Sequence, residues 1–231
     1  RDDGLHSMMY AVAGNHGVYR ESSKPFTVIK INTHTTVERK TTKLGKIDWN
    51  ALVRDIAMDE RRNSLIISMI RDNIERKILV LTSLVDHAQI LHDECRKVDI
   101  NCDILCGTKK GYVDSNVLIG TMSKIGTGFD PATSCATYDG KPFDLLIIVS
   151  SIKKYSMLIQ NVGRVFRTEY PIVMHLVDDD TIIKSHWNVC RKWYLARGAT
   201  IKIHDIPNPN KKDTDDVTAA FLARHAHLAV K

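Results

Sequence analysis

Between residues 77 and 177 the chain carries a succession of short apolar runs, and no other feature limits its fold as tightly. Ile78 to Thr82, Ile100 to Leu105, Val117 to Thr121, Leu145 to Val149 and Ile172 to Val177 are five or six residues each. Most lack the polar alternation of a half-solvated strand, so they need cover on both faces, as in a parallel sheet. Stretches of helical spacing separate them: Asp86 to Lys97, a second near 153–167 and a third near 181–197. The alternation predicts an α/β fold over residues 46–206: three layers, with a mostly parallel sheet covered by helices on both faces. Ahead of the first run, Asp48 is placed to cap a helix through Trp49, Leu52, Val53 and Ile56. Glu60 to Ile74 sets Leu65, Ile66, Met69 and Ile70 on one helical face.

The ends read differently. Residues 1–24 hold scattered Gly, His and Met, and Pro25 to Val37 alternates as an extended excursion through Phe26, Val28 and Ile31. Residues 1–45 are therefore expected to form an irregular connector. Pro207 to Asp216 is polar and prolyl, and Val217 to Val230 suits a terminal helix, so residues 207–231 are expected to be an extension.

A formal net charge of +6 and a pI near 9.0 permit a polyanionic partner without specifying a fold. No apolar run approaches the roughly 18 residues that span a bilayer, and no signal peptide opens the chain, so a non-secreted protein without membrane contact is expected. The five cysteines lack a second matching pair for Cys102 and Cys106 and read as reduced thiols. The ten histidines show no ligand pairing, and no metal site is expected.

Two clusters carry chemistry. Gln160-Asn-Val-Gly163-Arg164-Val-Phe-Arg167 reads Q-x-x-G-R-x-x-R. If helical, it sets two permanently charged guanidinium forks on one face, where they can meet a phosphate bidentately. Taken alone, it equally describes two solvated helix arginines. The second cluster follows the run ending at Thr121: Met-Ser-Lys124-Ile-Gly126-Thr-Gly128-Phe-Asp130-Pro131. A glycine-rich loop beyond a strand end lets backbone amides approach a phosphate, and a nearby Asp can accept from a ribose hydroxyl.

Together these clusters resemble motifs V and VI in the second RecA-like domain of superfamily 2 helicases. The strand Ile78 to Thr82, with Ser83 and the helix from Asp86, resembles motif IV. Arg1-Asp-Asp-Gly-Leu5 resembles the end of the segment that extends motif III, Arg62-Asn63-x-Leu65-Ile66 a helix ahead of motif IV, and Trp187 to Tyr194 the helix after motif VI. The echoes span most of the chain in the family order. They look most like the transcription helicases of poxviruses and African swine fever virus, and like phage recombination and excision-repair helicases.

The resemblance implies a C-terminal half of an ATP-dependent DNA or RNA helicase or translocase. Arg167 would be the arginine finger on the γ-phosphate, Arg164 its neighbour, and Gln160 the residue orienting both. Gly128, Asp130 and Gly163 would face the nucleotide. Thr121, Lys124 and the Thr82–Ser83 corner would bind backbone phosphates of single-stranded or duplex nucleic acid. It further implies ATP and Mg²⁺ held mainly by an N-terminal RecA-like domain, contact with transcription machinery, and location in host cytoplasm or virion if the source is viral.

Walker A is missing: Gly107-Thr-Lys-Lys-Gly111 lacks the terminal Gly-Lys-Ser/Thr, and Asp93-Glu94 imitates a D-E box inside an amphipathic helix. These residues alone are thus expected to hydrolyse no ATP. Lys109, Lys110, Lys153 and Lys154 suit either solvent or the track, the second pair better. Trp187, Trp193 and Tyr194 read as packing. A non-catalytic nucleic-acid-binding module remains as an alternative. So does another nucleotide-binding α/β enzyme, although Phe-Asp-Pro after Gly128 breaks the dinucleotide fingerprint.

Overall fold

In a computed structural model, which describes residues 24–126 and 128–207 together with Met8, Ala11, Val12 and Gly14, seven parallel strands form one sheet. In chain order these are β1 (Phe26–Asn32), β2 (Ile78–Thr82), β3 (Cys102–Leu105), β4 (Val117–Thr121), β5 (Leu145–Ile148), β6 (Ile172–Val177) and β7 (Ala199–Asp205). Their order across the sheet is β3-β4-β2-β5-β6-β1-β7. The helices are α1 (Trp49–Ala57), α2 (Glu60–Arg71), α3 (Val85–Lys97), α4 (Met122–Gly126), α5 (Pro131–Ser134), α6 (Tyr155–Val162) and α7 (Thr181–Ala196).

Every residue of β2, β4 and β5 is buried, which is why their sequence runs are apolar on both faces. The pleat sends alternate side chains into two cores. Leu79, Leu81, Leu118, Leu146 and Ile148 pack with α1, α4, α6 and α7. Ile78, Val80, Val117, Ile119, Leu145 and Ile147 pack with α2 and α3. Asp48 caps α1 as its position predicts, its side chain accepting from the Ala51 amide at 3.0 Å.

Three features depart from the sequence reading. Phe26–Asn32 is not part of a connector: β1 lies inside the sheet, paired with β6 on one side and β7 on the other. The boundary at residue 46 therefore moves back to about Phe26, and the irregular stretch 33–48 joins β1 to α1 within the domain. β7 was not expected, because it is a half-exposed edge strand that alternates Ile201 and Ile203 with Lys202 and His204. The helix expected over 153–167 ends at Val162. The expected tail helix over Val217–Val230 and the Arg1–Leu5 segment lie outside the described residues.

A buried polar network ties the carboxyl ends of the strands to α2 and α3. Arg62 Nε donates to Asp178 Oδ1 at 2.7 Å, and Nη2 donates to the Val149 carbonyl at 2.6 Å and to Asp178 Oδ2 at 3.1 Å. The Thr33 hydroxyl donates to the same carboxylate at 2.7 Å. Asn63 Nδ2 donates to the Ala57 carbonyl, which leaves its oxygen to accept from His87 Nε2 at 2.9 Å. His87 Nδ1 then accepts from the Thr82 hydroxyl at 2.9 Å, so the ring is neutral with its proton on Nε2. Burial and the facing Arg62 charge hold the His87 pKa down at about 3, and burial alone does the same for His175.

Two outcomes follow. Arg62→Met leaves Asp178 buried and uncompensated, and a loss of about 3–5 kcal/mol in urea unfolding is expected. Arg62→Met with Asp178→Leu should regain part of it. The two histidines have folded pKa values near 3 against 6.5 unfolded, so the unfolded chain binds more protons between those limits. Stability is then flat above pH 7 and falls as pH drops below 6.5, by up to about 1.4 kcal/mol per unit for each histidine. A urea midpoint unchanged down to pH 5 would contradict this.

Candidate nucleotide and nucleic-acid interface

The glycine-rich segment after β4 turns directly into α4, a short helix, where a loop was expected. Gly120 makes this fold-back possible. A Cβ there would stand 2.7 Å from Ile125 Cγ1 and 3.2 Å from the Leu105 carbonyl, so only glycine lets α4 lie on the strand. Gly126, the last residue of α4, faces α6, where an added Cβ would lie 3.3 Å from Gln160 Oε1. Gly128 has a φ of +68° and is exposed, a conformation natural to glycine.

Arg164 and Arg167 do not share a helix face; both follow the end of α6, in consecutive turns beyond its Gly163 cap. Their surroundings divide them. Arg164 Nη1 donates to the Phe129 carbonyl at 2.6 Å and Nη2 to the Gly126 carbonyl at 2.9 Å, with the guanidinium 5.8 Å from the Phe129 ring centre. Burial, and secondarily the like charge of Arg167, pushes its pKa down. Arg164 is therefore a clasp on the backbone that carries Gly128. Arg167 is exposed, held by a single 3.2 Å contact from Nη1 to Asp130 Oδ1, and can turn to another anion. Gln160 is exposed on α6 beside Gly126.

The expected phosphate-binding corners are only partly available. The Thr82 hydroxyl is fully buried, bonded to His87 and near Ser150 Oγ at 3.3 Å, and Thr121 is 3% exposed. Both side chains are buried: Thr82 serves the network under the sheet's carboxyl edge, and Thr121 accepts from the Ser123 hydroxyl at 3.5 Å. Ser83 is exposed, its amide donating to Ser150 Oγ at 3.0 Å. Lys124 is partly buried and its Nζ donates to the Gly107 carbonyl at 3.4 Å.

Beyond the carboxyl ends of β2, β4 and β5 opens a cleft of about 490 Å³. Ser83, Ser123, Ser151, Lys153 and Lys154 supply its polar lining, and Trp49, Met122, Met157 and Ile182 its apolar wall. His186 stands edge-on to Trp49 with ring centres 5.2 Å apart, and its Nδ1 is 2.8 Å from the Ser151 hydroxyl. Sequence reasoning weighed Lys153 and Lys154 but missed Trp49, Ser123, Ser151 and His186. The available signal was a serine one to three positions beyond each of three central strands. The α4–α6 seam joins the two regions: Met122 and Met157 face the cleft, while Gly126 and the turns after α6 hold the arginines. Among the described residues no group of three His, Cys, Asp or Glu side chains is arranged to hold a metal ion, and no helix is long and apolar enough to cross a membrane.

The fold is α/β and RecA-like, matching the C-terminal RecA-like domains of helicases, and the chain is similar in sequence to viral putative helicases. Its relatives are viral. It is 28% identical to "Putative helicase 161L" of Invertebrate iridescent virus 6 over 225 residues, covering 87% of this chain and 48% of that protein. It is also 28% identical to "Putative helicase 055L" of Frog virus 3, covering 87% of this chain and 45% of the other. The chain thus spans about half the length of the curated relatives it matches. No family model matches it. Among solved structures, phage T4 UvsW superposes with a TM-score of 0.53 at 14% identity, over 79% of this chain and 41% of that one. The C-terminal domain of the DEAD-box protein Dbp5 gives 0.51 at 10% identity, over 77% of this chain and 90% of that domain.

The division between the arginines is measurable as stability. Arg164→Ala strips two carbonyls of a charged donor and should lower unfolding free energy by about 1–3 kcal/mol. Arg167→Ala, losing one exposed ion pair, should stay within about 0.5 kcal/mol. Equal effects in urea titrations would overturn the assignment.

Proposed function

We propose that this domain is the C-terminal motor half of a viral ATP-dependent helicase or translocase, acting in transcription or other nucleic-acid remodelling. The observation that carries the reading is that Arg164 grips the Gly126–Phe129 backbone while Arg167 is left exposed beside it. In this reading Arg167 is the finger that meets the γ-phosphate, and Arg164 is a positioning residue. In the same reading Gln160, Gly163, Gly128 and Asp130 would face the nucleotide. These residues fit phosphate contact but not a whole nucleotide site, so an N-terminal RecA-like domain would hold ATP and Mg²⁺ and supply the attacking water. When bound there, the nucleotide provides the charge that draws Arg167 off Asp130. Closure is favoured only by the difference in affinity between the two arrangements, and the Arg167 contact supplies it.

The nucleic-acid half of the cycle falls to the cleft. Ser83, Ser123, Lys124, Lys153 and Lys154 would contact a strand's backbone in place of the buried Thr82 and Thr121 side chains. Such contacts read no base identity and weaken with salt. Because α4 and α6 carry both the cleft wall and the arginine clasp, motion of either is felt by the other.

The test is nucleic-acid-stimulated ATP hydrolysis by the full-length protein, with single-stranded DNA, duplex DNA and RNA in turn. Arg167→Ala should lower the stimulated rate by about 10³- to 10⁵-fold with ATP binding largely kept. The isolated 231-residue chain should show no turnover. A full-length rate indifferent to Arg167→Ala would reduce the domain to a non-catalytic binding module.

A further inference from the structure

The cleft is furnished for more than phosphate. Of the three tryptophans, Trp187 and Trp193 are 5% and 8% exposed within the core, whereas Trp49 is only partly buried and lines the cleft. Its ring is braced rather than loose: His186 packs edge-on against it and is itself fixed by Ser151. Burial, then the nearby Lys153 charge, holds the His186 pKa down, so the brace is a neutral ring. Met122 and Met157 complete a polarisable wall.

The rim is cationic. Lys153 and Lys154 are exposed, and among the described residues no carboxylate pairs with either. The acids at this edge of the sheet are engaged elsewhere: Asp178 by Arg62, Asp180 by Arg39 and the start of α7, Asp179 by Lys184. A ligand that matches a braced indole, a thioether wall, three hydroxyls and two free ammonium groups has a flat aromatic part between anionic groups. That is a nucleotide within a strand. A volume of about 490 Å³ suits one, within the range of about 300–1,000 Å³ for small-molecule sites.

We propose that the cleft seats one unstacked nucleotide of a single strand, its base against Trp49 and its flanking phosphates on Lys153 and Lys154. The proposal rests on the track assigned above and adds to it: the domain grips a base as well as a backbone. Stacking on an aromatic face is tolerant of base identity, so the contact keeps the strand in place without reading sequence.

Binding of fluorescently labelled strands to the 231-residue chain tests this at low salt. The strands are oligothymidylate, oligouridylate and an abasic strand with the same number of phosphates. Wild type should hold the better base-bearing strand about 5- to 150-fold more tightly than the abasic one. Trp49→Leu should erase that margin while leaving abasic binding unchanged. Lys153→Gln with Lys154→Gln should weaken all three. A preference for either sugar supports the proposal and identifies the nucleic acid. Equal binding of abasic and base-bearing strands by wild type would overturn it and leave the phosphate track standing; this comparison needs no variant to fold. Failure of wild type to bind any strand would overturn both.

Discussion

The fold is organised around the Arg62–Asp178 pair, because it sits where no charge is comfortable. Arg62 is 1% exposed and Asp178 3%, and an ion pair in such surroundings barely offsets its own desolvation. What makes it tolerable is the number of partners. One guanidinium addresses both carboxylate oxygens and the Val149 carbonyl, while Thr33 shares the carboxylate. Those partners come from the carboxyl ends of β1, β5 and β6. The adjoining chain through Asn63, His87, Thr82 and Ser150 adds the end of β2. Hydrophobic burial holds the strands in a sheet but is indifferent to small slips along them. The network is directional, and it fixes the relative level of these four strand ends, of which β2 and β5 border the cleft.

Above that floor, function depends on how closely α4 lies to the sheet and to α6. Gly120 permits the first approach, and at the second Gly126 lies against the Gln160 side chain. Arg164 then locks the seam by donating to carbonyls at the end of α4 and beyond it. An arginine that is bonded to backbone in this way cannot also be the mobile group that meets a phosphate. The same clasp that removes Arg164 from that role steadies the segment on which Asp130 presents Arg167. Met122 on α4 and Met157 on α6 wall the cleft, and the Arg164 clasp lies at and just beyond the ends of the same two helices. This is a physical route for coupling, with packed elements both sites can bias.

Legibility in the sequence followed physical context. Strands buried on both faces announced themselves, and β2, β4, β5 and β6 were read within a residue of their bounds. β1 was seen as extended but left outside the domain, since local alternation says nothing about which sheet a strand joins. β7 was missed because an edge strand with one wet face resembles ordinary polar chain. At the site, residue type and order singled out Arg164 and Arg167, but separating a clasp from an exposed arginine required knowing which carbonyls lay within reach. Thr82 and Thr121 show the same limit: a hydroxyl at a strand end can face solvent or core. Trp49 was read only as part of the helix that Asp48 caps, and only the fold brings it opposite Met122, Met157 and Lys153.

The charge inventory explains why an aromatic wall matters in such a cleft. Two unpaired rim lysines release few counterions. At about 0.7 per phosphate contact on a single strand, a tenfold change in salt alters affinity only about 25-fold through them. Electrostatics of that size draws a strand in but does not hold it through a mechanical step, and the remaining acids and bases at this edge are already committed to one another. Apolar contact does not weaken with salt in the same way. A grip that combines weak, position-tolerant phosphate contacts with one stacked base therefore resists sliding, while still releasing when α4 and α6 shift the wall.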